Sequence, residues 1–243
     1  MENVILDLSV PIVSGMPVYP GDPEVRVDPA LTVAADGANV LGLHLGSHTG
    51  THVDAPFHID DSLPTLDELP LDHFVGPVAV ADVRGLPPRT PIPAAAVAPH
   101  LGTAGILLVA TGWSRYWGTG DYLAHPFLSA EAAELIAGSG VRTVGVDAFS
   151  VDPTPAAEFP AHHALCHARM VIVENLAGLG RVIDAQAAGR TVEVSLLPIR
   201  VAGGDGAPVR AVARVSGRAP GGGFQAETAE VSGFPRSRSA YGA

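Results

Sequence analysis

Residues 48–58, which read HTGTHVDAPFH, constrain this chain more strongly than any other segment. They place three histidines, His48, His52 and His58, and the carboxylate of Asp54 within one short stretch. Neutral imidazole and carboxylate groups are ligands that divalent zinc and manganese accept. A lone histidine is usually solvated or hydrogen-bonded, so it is the clustering that predicts a metal site.

Regular secondary structure cannot bring His48, His52 and Asp54 to one ion. In a helix, Asp54 would point about 200° away from His52 around the helix axis. In a strand, His48 and His52 would lie ~13 Å apart, which is too far for them to share a metal. Because Gly50 can adopt backbone conformations that other residues avoid, the chain can curl at this point. We therefore predict a bent loop that leaves a strand at residues 40–45.

Composition excludes several classes of function. The 243 residues include no lysine, which rules out a Schiff-base lysine and a phosphate-binding loop of the Gly-Lys-Ser/Thr type. The formal net charge is −11 and the sequence contains no basic patch, which argues against nucleic acid as a partner. We therefore expect the partner to be a small-molecule substrate.

The sequence carries no signal for secretion or membrane insertion. Its single cysteine, Cys166, cannot form an internal disulfide and suits a reducing compartment. The first residues lack the basic and apolar regions of a signal peptide, and no uncharged apolar run reaches the ~18 residues that span a bilayer. We therefore expect a cytoplasmic protein, with Cys166 in the core and not in a ligand shell.

Alternating apolar and helical patterns predict a single α/β domain with a substantially mixed sheet. Strands are predicted at residues 4–9, 40–45, 77–83, 105–111, 142–147, 170–174 and 191–197, and helices at 129–137 and 161–168. From about residue 216 the composition becomes rich in Gly, Ser and Arg, which is typical of a linker or tail. The sequence thus divides into a domain at 1–215 and an extension at 216–243, and it leaves open whether the extension is disordered or packs on a neighbouring subunit.

The segment at 48–58 closely resembles the H-x-G-T-H-x-D-x-P-x-H signature of the cyclase family, which includes bacterial kynurenine formamidases and isatin hydrolases. Further blocks fit the same family in order: LDLSVPI at 6–12, MPVYPGDP at 16–23, TGWSRYW at 111–117, GVDAFSVD at 145–152, AHHAL at 161–165, VIVENL at 171–176 and GGDGAPVR at 203–210. The likeness covers about residues 3–215. It implies a swivelling β/β/α-type domain that assembles into homodimers or larger homo-oligomers.

The resemblance also implies a set of metal ligands. It implies that His48, His52 and Asp54 bind metal, and that His162 and Glu174 complete a second site in which Asp54 bridges. One or two zinc or manganese ions would then be bound by each subunit. The nitrogen and oxygen donors accept either metal, so the sequence does not choose between them.

The resemblance places His58 at the family's general acid/base and Tyr19 in the substrate pocket. An imidazole suits proton transfer because its ordinary pKa, about 6.5, lies near operating pH. Tyr19 stands where the formamidases have a tryptophan, so N-formylkynurenine is not assigned as the substrate. Phe57, Trp113 and Trp117 are further candidates for an aromatic pocket wall, with ordinary core packing as the alternative.

We therefore expect a metal-dependent amidohydrolase that cleaves the C–N bond of a small aromatic or cyclic amide. A metal ion can lower the pKa of a bound water from 15.7 to about 7 and so supply hydroxide for this reaction. Both an arylformamidase and an isatin-type lactam hydrolase fit. The alternatives are a metal-dependent cyclase or dehydratase acting on a polyketide-like biosynthetic intermediate, and a non-enzymatic protein whose metal has a closed ligand shell.

Overall fold

The computed structural model of the chain describes residues 3–217 and 224–227. Its strands are β1 (Asn3–Asp7), β2 (Arg26–Leu31), β3 (Val40–His44), β4 (His52–Asp54), β5 (Val75–Asp82), β6 (Pro91–Ile92), β7 (Ile106–Ala110), β8 (Phe127–Leu128), β9 (Thr143–Val146), β10 (Val171–Glu174), β11 (Thr191–Ser195), β12 (Gly206–Pro208), β13 (Val212–Ser216) and β14 (Phe224–Glu227). Its α-helices are α1 (Val33–Asp36), α2 (Ala94–Val97), α3 (Ala130–Ala137), α4 (Pro160–His167) and α5 (Leu179–Ala187). Short 3₁₀ helices, including Pro56–His58, lie in the connections.

One ten-stranded sheet organises the fold, in the order β12-β4-β10-β9-β7-β5-β11-β13-β1-β14. Its central strands β10, β9, β7 and β5 run parallel, whereas β4 and β12 on one side and β11 and β13 on the other pair antiparallel. The predicted α/β architecture with a mixed sheet is therefore confirmed. The predicted strand at 40–45 forms as β3, but it pairs with β2 in a separate two-stranded sheet.

The central strands are buried on both faces, which explains their unbroken apolar sequences. Every residue of β7 is buried. Leu107 and Val109 pack in one cluster with α3 and α4, while Ile106 and Leu108 pack in the other cluster with α5. This alternation follows from the two-residue period of a strand. Burial of each such side chain contributes roughly 1.5–3 kcal/mol, so these strands form a rigid base.

Strand β4, which lies between β12 and β10, places His52 and Asp54 within the main sheet. It pairs antiparallel with β10 so that His52 lies opposite Glu174, and with β12 so that Asp54 lies opposite Gly206. All three residues of β4 are buried. Strand pairing therefore joins parts of the chain that are more than a hundred positions apart in the sequence.

The extension predicted at 216–243 is described only in part. Residues 224–227 form β14, which pairs in parallel with β1. Residues 218–223 and 228–243 lie outside the described residues, so the division at 215 stays a prediction. Within the described part of the chain, the structure contains no helix with the length and apolar character needed to cross a membrane.

Candidate metal centre

The loop that carries the histidines folds back at Gly50, whose φ of +64° lies in the left-handed region. The Gly50 carbonyl accepts hydrogen bonds from Asn175 Nδ2 (2.9 Å) and His52 Nδ1 (2.8 Å). Thr51 Oγ1 donates to the Asn175 carbonyl at 2.6 Å. A buried asparagine at the end of β10 thus holds the turn in place, and the backbone curls as the residue spacing predicted.

The first donor group consists of His48, His52 and Asp54. Asp54 Oδ1 lies 2.7 Å from His48 Nδ1 and 3.2 Å from His52 Nε2. One ligand atom from each of the three residues lies within 4.8 Å of the other two. These side-chain tips therefore converge closely enough to bind a single cation.

The second donor group consists of Asp54, His162 and Glu174, whose ligand atoms also lie within 4.8 Å of one another. His162 Nε2 is 3.7 Å from Asp54 Oδ2 and 3.5 Å from Glu174 Oε1. Asp54 belongs to both groups, with Oδ1 directed to the first and Oδ2 to the second. This arrangement suits a carboxylate that bridges two cations.

The buried Asp54 carboxylate fits a metal ligand because one of its oxygens has no other partner. Its side chain is 1% exposed, and Oδ2 has no hydrogen-bond partner among the described residues. The His162 nitrogen at 3.7 Å is too distant for a hydrogen bond. Leaving such an atom unsatisfied costs roughly 1–3 kcal/mol. A divalent cation between the donors would remove that cost.

The pKa shifts within the two donor groups also indicate that positive charge is favoured there. Burial raises the pKa of Glu174, and the nearby charge of Asp54 raises it further. Burial alone would lower the pKa of His48, but the charge of Asp54 and a hydrogen bond to Asp205 raise it to about 10. At His162, nearby carboxylates likewise outweigh burial and raise the pKa to about 10. A divalent cation would supply this charge while leaving the imidazoles neutral, as ligation requires.

Hydrogen bonds to the Nδ1 atoms of His52 and His162 determine which ring nitrogen of each faces the donor groups. His52 Nδ1 is engaged by the Gly50 carbonyl, and His162 Nδ1 lies 2.7 Å from Asp152 Oδ2. Asp152 also accepts hydrogen bonds from the backbone at the start of α4, which anchors the helix that carries His162. Both Nε2 atoms are thereby directed at the carboxylates, an arrangement that orients and tunes metal ligands.

His48 is turned the other way, because its Nε2 lies 2.8 Å from Asp205 Oδ2 and its Nδ1 faces Asp54. The hydrogen bond from His48, together with the nearby His58 imidazole, holds the pKa of Asp205 far below its usual range. The sequence pattern singled out neither Asp152 nor Asp205 as a site residue. Asp152 is the last residue of the family block GVDAFSVD, and Asp205 lies within the block GGDGAPVR. Membership of these blocks is the sequence signal that could have identified them as site residues.

A cavity of about 320 Å³ opens onto both donor groups. Besides the donors, its wall contains Tyr19, Asp22, His58, Ile59, Phe149, Ser150, Phe159 and Asn175. The Tyr19 ring lies 6.3 Å from that of Phe149, nearly parallel to it, and 6.4 Å from that of Phe159. His58, with 32% of its side chain exposed, also faces this space. The cavity therefore combines an aromatic wall with a titratable imidazole beside the donors.

Three of the four aromatic residues suggested by the sequence do not line this cavity. Trp113 and Trp117 are buried in the core beside Tyr122, and Phe57 packs against the cluster on the opposite face of the sheet. Trp113 Nε1 donates to the Tyr122 carbonyl at 3.1 Å, so its polar atom is satisfied within the core. Of the two alternatives that the sequence left open for these residues, the structure therefore supports core packing.

The chain is similar in sequence and fold to proteins of one family. The family model named Cyclase matches residues 6–153. A kynurenine formamidase of Salinibacter ruber is 37% identical over 220 residues, which cover 86% of this chain and 97% of the relative. One from Geobacillus thermodenitrificans is 31% identical over 218 residues, covering 89% and 100%. An isatin hydrolase bound to the product analogue thioisatinate shares the fold with a TM-score of 0.77, at 24% identity over 88% of this chain and 93% of the other.

Zinc or manganese added to chelator-treated protein is expected to raise its melting temperature. An ion that binds only the folded state, at a free concentration of about 100 times its Kd, stabilises that state by roughly 2.7 kcal/mol. For a protein of this size that corresponds to a rise of roughly 5–10 °C, measurable by scanning fluorimetry. Asp54→Asn should abolish the rise in melting temperature, because Asp54 belongs to both donor groups. Asp60→Asn, which changes a surface carboxylate on the following loop, should retain the rise. An equal rise in Asp54→Asn would mean that the ion binds elsewhere.

Proposed function

The chain belongs to the cyclase family, and on that premise we propose that it is a metal-dependent hydrolase of small aromatic or cyclic amides. Two relatives that match almost the whole chain are kynurenine formamidases, which supports amide hydrolysis. The observation that carries the proposal is a cavity in which His58 lies beside both donor groups and an aromatic wall. Such a space accommodates a flat substrate with its amide at the donors.

The two donor groups are the proposed metal ligands. His48, His52 and Asp54 would hold one ion, and His162 and Glu174 would hold a second ion together with Asp54. Their nitrogen and oxygen donors suit zinc or manganese. A bound ion of this kind acidifies water and polarises a carbonyl oxygen. The role of the buried carboxylates is to keep that charge at the base of the cavity.

His58 is the proposed general acid/base. Its ring centroid lies 4.1 Å from that of His48 and 6.0 Å from that of His162, so it lies beside both donor groups without belonging to either. His58 accepts a proton from water as the water oxygen attacks the amide carbon. It then returns the proton to the amide nitrogen as the C–N bond breaks. The products are a carboxylic acid and an amine, so water is consumed and His58 is regenerated.

Tyr19 is the proposed substrate contact, together with Phe149 and Phe159. Offset and tilted ring arrangements at these distances are typical of favourable aromatic contacts. An aryl ring packed against this aromatic wall would hold the scissile amide toward the base of the cavity. Both an arylformamide and an isatin-type lactam satisfy this geometry, so we propose the class of flat aryl amides and not one compound.

We also propose that the protein is a homo-oligomer located in the cytoplasm. The arm formed by β2, α1 and β3 lies outside the main sheet and exposes several large apolar side chains, Leu31, Val33, Val40, Leu41 and Leu43. A concentration of exposed large apolar side chains on one element is typical of a protein interface. A second copy of the chain is the partner that the family resemblance implies.

His58→Ala is expected to lower kcat by roughly 10²–10⁴ while leaving the metal content unchanged, because the variant loses proton transfer and no proposed ligand. Turnover of a formanilide and elemental analysis should be measured on the same preparation. His163→Ala is the matched control, because His163 is exposed on α4 and lies outside both donor groups. Loss of metal from His58→Ala would make His58 a ligand and contradict the assignment.

Tyr19→Ala is expected to reduce kcat/KM for aromatic amides roughly 3–10-fold, mainly through KM, because an aromatic contact contributes about 0.5–1.5 kcal/mol. Formanilide, N-formylkynurenine and isatin form the substrate panel. Tyr116→Ala, which removes a tyrosine packed on Trp113 away from the cavity, should leave kcat/KM nearly unchanged. If the fully metal-loaded wild-type protein hydrolyses none of the three, the cyclase or dehydratase alternative is favoured.

Leu43→Asp is expected to lower the particle mass, because a charge in an apolar interface opposes association. Light scattering should give a multiple of the 24.8 kDa chain mass for the wild type and a smaller mass for the variant. Leu71→Asp is the control, because Leu71 is 72% exposed but lies outside the arm. A wild-type protein that is monomeric at all concentrations tested would refute the proposed assembly.

A further inference from the structure

The Asp205 carboxylate lies beside both His48 and His58 but belongs to neither donor group. Its Oδ2 atom is 2.8 Å from His48 Nε2, 3.1 Å from Ser47 Oγ and 3.7 Å from His58 Nδ1. Ligand-type atoms of His48, His58 and Asp205 all lie within 4.8 Å of one another. A single carboxylate oxygen therefore faces the proposed metal ligand and the proposed proton carrier together.

The backbone holds Asp205 in this position with little freedom. Its carbonyl accepts a hydrogen bond from Ala55 N at 2.8 Å, and the following residue, Gly206, pairs with Asp54 across β4 and β12. A Cβ atom on Gly206 would lie 2.6 Å from the Val53 carbonyl oxygen and 2.9 Å from His48 Cε1. Only glycine fits at this contact. The chain is thus pressed against the His48 ring, which directs the preceding side chain toward the imidazoles.

We propose that Asp205 is a positioning residue that orients His48 for metal binding and His58 for proton transfer. This inference rests on the proposed function of His58. With His48 Nε2 donating to Asp205, the remaining nitrogen Nδ1 faces Asp54 and the first donor group. Carboxylates that accept a hydrogen bond from a metal-bound histidine fix its ring orientation and raise its basicity.

The same carboxylate determines which nitrogen of His58 exchanges the proton. With the proton of His58 on Nδ1 and directed at Asp205, Nε2 is the nitrogen that takes a proton from water. When Nε2 is protonated the ring carries a positive charge, which the neighbouring carboxylate stabilises, as the aspartate does in a Ser-His-Asp triad. The 3.7 Å separation is longer than a hydrogen bond, and catalytic contacts of this kind commonly shorten once substrate is bound.

Asp205→Asn tests both halves of the proposal. Zinc affinity, measured by competition with a chelator in the absence of substrate, is expected to fall roughly 10–100-fold. At saturating zinc, kcat for a formanilide is expected to fall at least about 10-fold with KM nearly unchanged, because proton transfer is impaired. Ser47→Ala is the matched control, because it removes the hydroxyl contact to the same oxygen and leaves both imidazole contacts in place.

A double-variant cycle separates an effect through His58 from a general structural effect. In a His58→Ala background, Asp205→Asn should cause no further loss of the residual rate at saturating zinc. An equal fold-loss in both backgrounds would overturn the role toward His58, and unchanged zinc affinity would overturn the role toward His48. Asp205→Glu, which keeps the charge on a longer side chain, should show smaller losses in both measurements and replaces the asparagine variant if that variant does not fold.

The zinc measurement also keeps this inference distinct from the proposed function. If the wild-type protein binds zinc but hydrolyses no aryl amide, the proposed hydrolase activity fails, while the role of Asp205 toward His48 is still decided by affinity. If the amides are hydrolysed and both measurements are unchanged by Asp205→Asn, the hydrolase stands and the positioning role is wrong.

Discussion

The Asp54 carboxylate is buried where β4, β10 and helix α4 meet, and the arrangement of the surrounding histidines is organised around it. A carboxylate removed from water costs several kcal/mol unless positive charge and hydrogen-bond donors surround it. Here Glu174 lies in the same buried region, so the local demand for positive charge is greater still. Imidazoles from the segment that ends in β4 and from helix α4 supply part of that positive charge, and one oxygen of Asp54 is left for a cation. A divalent ion is the simplest group that balances this set of charges.

The sheet makes such a concentration of charge possible. The parallel strands β9 and β10 end at the same edge, which is where ligands usually bind in α/β sheets. Glu174 closes β10, and the segment after β9 supplies Phe149 and Asp152. Strand β4 is inserted antiparallel beside β10 and completes the centre from a third part of the chain. Because the central strands are buried on both faces, these side chains are attached to a rigid part of the sheet.

The cavity has a polar end, formed by the buried donor groups, and an aromatic wall. Donors occupy its base, and Tyr19, Phe149 and Phe159 form a wall. His58 is partly exposed at the boundary, where a proton can pass between water and a leaving nitrogen. An arylformamide has a polar amide attached to a flat ring, so its two parts match the two parts of this cavity. The similarity to kynurenine formamidases agrees with that match. One oxygen of Asp205 lies 2.8 Å from His48 Nε2 and 3.7 Å from His58 Nδ1, and so lies beside both imidazoles.

Features with local signals could be predicted from the sequence. The spacing of His48, His52 and Asp54 around a glycine excluded regular structure, and apolar runs predicted the four central strands β5, β7, β9 and β10. The positions of Asp152 and Asp205 beside the histidines required the folded structure, because their partners depend on chain packing and strand pairing over long separations. It also placed Phe149 and Phe159 on the cavity wall while burying Trp113 and Trp117, because an aromatic side chain has the same apolar signature in either environment.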